Sequence, residues 1–288
     1  MQDPIYLLLA NFHVSQRPPS RDLDYNESGP ATVTRLWQHP PPPNNLVDRK
    51  VWEGIMDLPT DVLLRTTDYL GHMVNDLDEQ GGAWIHAMPM QPGDSAFMFE
   101  PALDASDEFQ AAPFIAMHGW YRQATGGLRN ALEGMSCAAA LAVRNDSARY
   151  ADWRAGTYEP RFGNAVELLA ADPTLAAIDG RLGAPGLFGR KPDGVAQETY
   201  NKLCRYAHGR AGTTNYDIWQ SNGPVFIGRG FTQFWMDYCD TIALCWVLLK
   251  IGWPQLVLPD APRPLFSWAN ERWNGIGAAV EAEFFPES

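Results

Sequence analysis

Long apolar runs are missing from this chain of 288 residues. A helix that spans a bilayer needs about 18 or more apolar residues in succession. The best stretch, Thr241 to Trp253, has the length of a buried core helix and carries Lys250. No membrane span is expected. Cysteine is scarce too: Cys137, Cys204, Cys239 and Cys245 stand alone, with no C-x-x-C pair. That argues against a zinc ribbon and against a disulfide framework, and fits reduced thiols in a cytoplasmic protein. The Ile5 to Leu9 run is too short for a secretory signal and has no basic flank. Phosphate-loop, dinucleotide and nucleophile-elbow glycine patterns are absent, so no nucleotide cofactor is expected. His13, His39, His72 and His86 lack the paired spacing of metal ligands, His118 reads as a surface or core histidine, and no metal is expected.

What is present is material for a core. Apolar residues make up 45% of the chain against 19% charged, with 11 Trp and 13 Phe. Such a composition folds, and is large enough for one big domain or two modest ones. The net charge is −12 but uneven. Residues 1–110 hold 6 Lys/Arg against 17 Asp/Glu; residues 111–210 hold 12 against 9; residues 211–288 hold 4 against 8. Only the middle third would welcome a polyanion. A dedicated high-affinity DNA-binding protein is not expected.

The pattern predicts a mainly α protein, a helical bundle over 111–288 preceded by an irregular acidic region over 1–110. In that region Ile5 to Val14 alternates like a strand, and Pro18-Pro19 and Pro40 to Pro43 favour extended polyproline backbone. Thr60 would cap a helix over Asp61 to Glu79, ended by Gly81-Gly82. Ala83 to Met90 reads as a short strand, and the rest up to 110 as mixed. Apolar spacing predicts helices over Phe114 to Val143, Asn164 to Ala171, Thr174 to Ile178, 195–208, Phe231 to Ile251 and Ser267 to Ala282. Residues 179–194 and 209–230 read as loops rich in Gly, and the prolines after Trp253 as a linker.

The densest chemistry lies in Glu198 to Arg210. Arg205, His208 and Arg210 gather at a helix end, with Asn201 and Lys202 just before them. An imidazole beside guanidinium groups suits acid/base work on a phosphate ester. The same His208-Gly209 pair also suits a plain helix C-terminus. Upstream, Arg129 and Glu133 stand at i and i+4 on one helix face. They either tie this helix to a neighbour or hold an arginine ready for a phosphate.

His118-Gly119-Trp120-Tyr121-Arg122-Gln123-Ala124, Leu128-Arg129-Asn130-Ala131-Leu132-Glu133 and Tyr206-Ala207-His208-Gly209-Arg210 together resemble the helical pattern of the HEPN superfamily. Asn222-Gly223-Pro224-Val225-Phe226, followed by a long helix, adds to the likeness, which covers about residues 113–253. The resemblance implies a helical bundle, commonly a homodimer, of phage-defence or toxin–antitoxin type. It further implies an endoribonuclease that uses no metal, with an arginine and a histidine at the dimer interface. His208 would then be the acid/base, with Arg205, Arg210 and Arg129 the candidate cations at the phosphate. Asn201, Lys202, Arg122, Trp219 and Asn222 would bind RNA. Here Arg205 stands closer to His208 than the arginine of the active pattern does. Many members bind RNA or regulate without cleaving it.

Two other readings stay open. The acidic region 1–110 suits a helical module that holds a protein partner without catalysis. Trp219, Asn222, Phe226, Trp235 and Trp246 could line a small-molecule pocket, although aromatics at helical spacing commonly form core.

Overall fold

A computed structural model describes residues 47–88, 97–189, 193–207, 224–257 and 262–286. The expected strand at Ile5 to Val14 and the early proline runs lie outside these residues. The protein is mainly α, and among the described residues there is no sheet. The helices are α1 Arg49–Trp52, α2 Leu58–Ala87, α3 Phe99–Met117, α4 Tyr121–Val143, α5 Ser147–Arg154 and α6 Phe162–Ala171. They continue as α7 Pro173–Leu182, α8 Val195–Ala207, α9 Gly228–Gly252, α10 Arg263–Ala269 and α11 Gly277–Phe284. A π-helical turn, Glu53–Asp57, joins α1 to α2.

The centre is α9. From Asp237 to Leu249 every residue is buried, so the helix has no solvent face there. Around it α2 and α9 run the same way: Tyr238 meets Leu77, and Trp246 meets Trp84 at 4.6 Å. Helix α3 runs against both, with Phe109 at Tyr238 and Met98 at Gly252. Helix α4 returns beside α9, the Tyr121 hydroxyl accepting from Ile227 N at 3.1 Å. Buried Ala138, Ala139 and Ala140 help α4 sit deep in this bundle.

Several boundaries differ from the sequence reading. Gly81-Gly82 does not end the first long helix, and Ala83 to Met90 is not a strand: α2 continues to Ala87. Packing outweighs propensity there. Gly81 leaves room for the Tyr238 hydroxyl, and Trp84, fully buried, donates from Nε1 to Ala102 O at 3.1 Å. The stretch read as mixed holds α3, which carries Pro113 inside it. A proline at 113 has no N–H for the carbonyl of residue 109. The Tyr238 hydroxyl lies 3.3 Å from that Phe109 carbonyl and can donate to it. The expected boundary between 110 and 111 falls inside α3.

The helix expected over 114–143 is two helices. The chain turns at Gly119, whose φ of +84° favours glycine, and a Cβ there would strike the Val225 backbone. The expected short helix at 174–178 grows to α7. Asp172 caps it by accepting from Thr174 N and Leu175 N, both at 3.0 Å. It absorbs the first part of the expected loop at 179–194. The last expected helix, 267–282, is broken into α10 and α11 around Asn274 and Gly275, both at positive φ. Helix α5, capped by Asp146, was not foreseen.

Candidate functional site

Arg129 projects from α4 toward α8. Its Nη2 lies 3.0 Å from Glu133 Oε2 and donates to the Tyr200 hydroxyl at 2.9 Å. The guanidinium carbon sits 5.3 Å from the Tyr200 ring centroid. That ring also stacks on Phe162 at 3.8 Å, nearly parallel. Cys204, one turn along α8, lies near enough to help raise the Arg129 pKa. The arginine is thus held by an ion pair, a hydroxyl and a ring, while its Nε is buried with no hydrogen-bond partner among the described residues. Burial drives the Tyr200 hydroxyl well above the usual tyrosine range, against the pull of Arg129, so it stays protonated. Both readings of the Arg129–Glu133 spacing are compatible with this: the pair ties α4 to α8 and also orients a guanidinium.

Arg122 precedes Arg129 by two helical turns on the same face of α4 and is half-buried. Arg205 is exposed near the end of α8. Asn201 accepts from Gln197 Nε2 at 2.9 Å and donates to Asp193 Oδ2 at 3.3 Å. Lys202 points the other way, to α9, where its Nζ lies 2.5 Å from Asp237 Oδ1. The contacts therefore unite Arg129 with Glu133 and Tyr200, and place Lys202 in a separate pair. His208, Arg210, Trp219 and Asn222 lie outside the described residues. In sequence His208 stands four residues after Cys204, as Cys204 stands four after Tyr200.

The remaining candidates are accounted for by packing. His118 Nδ1 lies 2.7 Å from Phe114 O, and burial holds its pKa below the usual histidine range despite that bond. Trp246 is fully buried core. Trp235 is half-buried, 5.9 Å from Trp268, and its Nε1 has no partner among the described residues. Among the described residues no cluster of His, Cys, Asp and Glu could hold a metal ion, and no helix is long and apolar enough to cross a membrane. Cys137, Cys239 and Cys245 are buried and Cys204 is half-buried. Burial pushes the Cys137 thiol up to about 12 and those of Cys239 and Cys245 higher still.

Sequence reasoning missed the acidic half of this region. Asp237 is completely buried, accepting from Gln233 Nε2 at 3.0 Å besides facing Lys202. Asp240, one turn on, receives the fork of Arg272 through three contacts of 2.8–3.0 Å. Their sequence signal was available: acids at i and i+3 inside an otherwise aromatic and aliphatic helix need partners. Tyr200 gave no such signal, because its partners lie on other helices. No protein-family model matches this chain, and no curated protein or solved structure proves similar to it.

Proposed function

We propose that this protein is a HEPN-like protein of the phage-defence or toxin type, a metal-independent endoribonuclease or an RNA-binding module. The observation that carries the reading is the restrained Arg129. Its guanidinium is set by Glu133 and Tyr200 against the helix whose next residue in the chain is His208. Arg122 on the same face and Arg205 on α8 add positive charge nearby. In the proposed reaction the 2′-hydroxyl of RNA attacks the adjacent phosphorus and the 5′-oxygen leaves. His208 moves the proton, and Arg129 or Arg205 meets the charge that gathers on the phosphate. A homodimer, as the family pattern implies, would supply two such sites.

The test is incubation with total RNA in EDTA. Wild type yields fragments with 2′,3′-cyclic phosphate ends, and His208→Ala yields none while keeping the wild-type melting temperature. Cleavage that persists in His208→Ala sinks the catalytic assignment.

A second reading is favoured by a different observation: the cations Arg129 and Lys202 already have carboxylate partners within the fold. On that reading the protein is a non-catalytic interaction module, and the acidic stretch 1–110 holds a basic protein partner. Its signature is capture of such a partner that weakens as salt rises, with no RNA cleavage under any condition.

A further inference from the structure

Asp237 is 1% exposed and Lys202 34%, so their pair spans the boundary between the core and the surface of α8. The acid cannot leave: it is fixed in the middle of α9, with Gln233 on its Oδ1 side. The lysine can, because its aliphatic stem reaches water from a half-exposed position. In sequence Lys202 stands between Asn201 and Arg205, both assigned above to RNA, yet its charge is turned inward.

We propose that Asp237 is a charge gate, a positioning residue that withholds the Lys202 ammonium from RNA when ionised and releases it when neutral. This rests on the RNA-binding reading. The chemistry is a single proton transfer from solvent to the Asp237 carboxylate; no other bond is made or broken. With the carboxylate neutral, Coulomb attraction no longer holds the ammonium, and hydration or a phosphate oxygen competes for it.

The surroundings make this transition accessible. Burial pushes Asp237 up to about 6, while Lys202 and Gln233 pull it down and Asp240 adds to the rise. Among the described residues, the charged and titratable groups bearing on it include Lys202 from α8, Asp240 and Cys239 from α9 itself, and Arg272 from the turn between α10 and α11. Asp76 of α2 acts on Cys239. Asp240 is committed to Arg272 and does not replace Asp237 as the partner of Lys202. The gate therefore opens as pH falls below about 6 and is shut at pH 7.5.

Asp237→Asn preserves shape and removes the charge at every pH. At pH 7.5, acylation of Lys202 by an N-hydroxysuccinimide ester, read by mass spectrometry against exposed Lys50, speeds up several-fold in Asp237→Asn. An unchanged ratio, or a wild-type Lys202 as reactive as Lys50, overturns the gate. Binding of polyuridylate is then measured against salt. One added phosphate contact steepens the slope of log K against log salt by about 0.7. Lys202 released with the slope unchanged overturns the gate's service to RNA. Lys202 released with no polyuridylate bound by either protein leaves the gate standing and removes the RNA reading. Should Asp237→Asn not fold, wild type between pH 7.5 and 5.5 shows the same steepening and Lys202→Met does not; equal changes in the two overturn the proposal.

Discussion

At the scale of residues, the bundle carries two buried acids with different partners. Asp240 meets a guanidinium fork that satisfies both its oxygens. Removing it as Asp240→Ala leaves Arg272 partly buried without its carboxylate, a loss of about 3–5 kcal/mol that urea unfolding will measure. Burial raises the carboxyl pKa of both acids, and that of Asp237 far enough to shape the pH profile. Its folded pKa, about 6, lies above the value near 3.8 expected of a free side chain. A raised carboxyl pKa means that the folded state binds the proton more tightly than the unfolded one. Its contribution to stability is complete below about pH 4 and is lost as pH rises through about 6. A plot of melting temperature against pH should show that loss in wild type, and Asp237→Asn should show less of it, because Asp240 and Asp179, also raised by burial, keep their share. The comparison with the variant isolates Asp237 from His118, whose lowered pKa works in the other direction. The residue pattern exposed one partner of Arg129, Glu133, because helical neighbours recur at fixed spacing. It could not expose Tyr200 or Phe162, which reach Arg129 only through tertiary packing.

Helices show the same division. Those with sustained apolar spacing and a clear stop, α6, α8 and α9, were legible to within a few residues. The errors fell where a side chain from another element rescues a poor local sequence. Pro113 reads as a breaker until the Tyr238 hydroxyl is seen at the Phe109 carbonyl. Tyr238→Phe strands that carbonyl in the core, and about 1–3 kcal/mol of stability should disappear from a denaturation curve. Gly119 is the reverse case, a glycine without which the turn cannot form. Gly119→Ala meets both an unfavourable φ and the Val225 backbone. It should cost more than about 1 kcal/mol, the scale of the conformational penalty alone, and lower the melting temperature accordingly. Gly119 is thus the residue that divides the helical pattern of 114–143 into α3 and α4.

For the molecule as a whole, the division into 1–110 and 111–288 follows charge, whereas the core ignores it. Leu77, Trp84, Ala102 and Phe109 share one apolar cluster with Leu132, Tyr238, Trp246 and Phe266. Charge patterning reports where solvent and partners act; it carries no information on which helices pack. Removal of residues 1–110 should therefore unfold the protein, judged by loss of a cooperative melt, and the acidic stretch must be tested by charge reversal of exposed acids such as Asp104 and Asp107. A smaller injury, Trp84→Ala, should cost about 3–5 kcal/mol.

The placement of the thiols offers a tool. Thiol-selective dyes and spin labels react with thiolates that solvent can reach. Three of the four sulfurs are buried, and their raised pKa values keep them protonated at pH 7.5. Maleimide treatment of the native protein should mark Cys204 and spare the other three, as peptide mapping will show. Because Cys204 lies one turn along α8 from Tyr200, which holds Arg129, a probe attached there would sit near that guanidinium, and its fluorescence or spin-label mobility would report whether an added RNA reaches it, without any engineered attachment point.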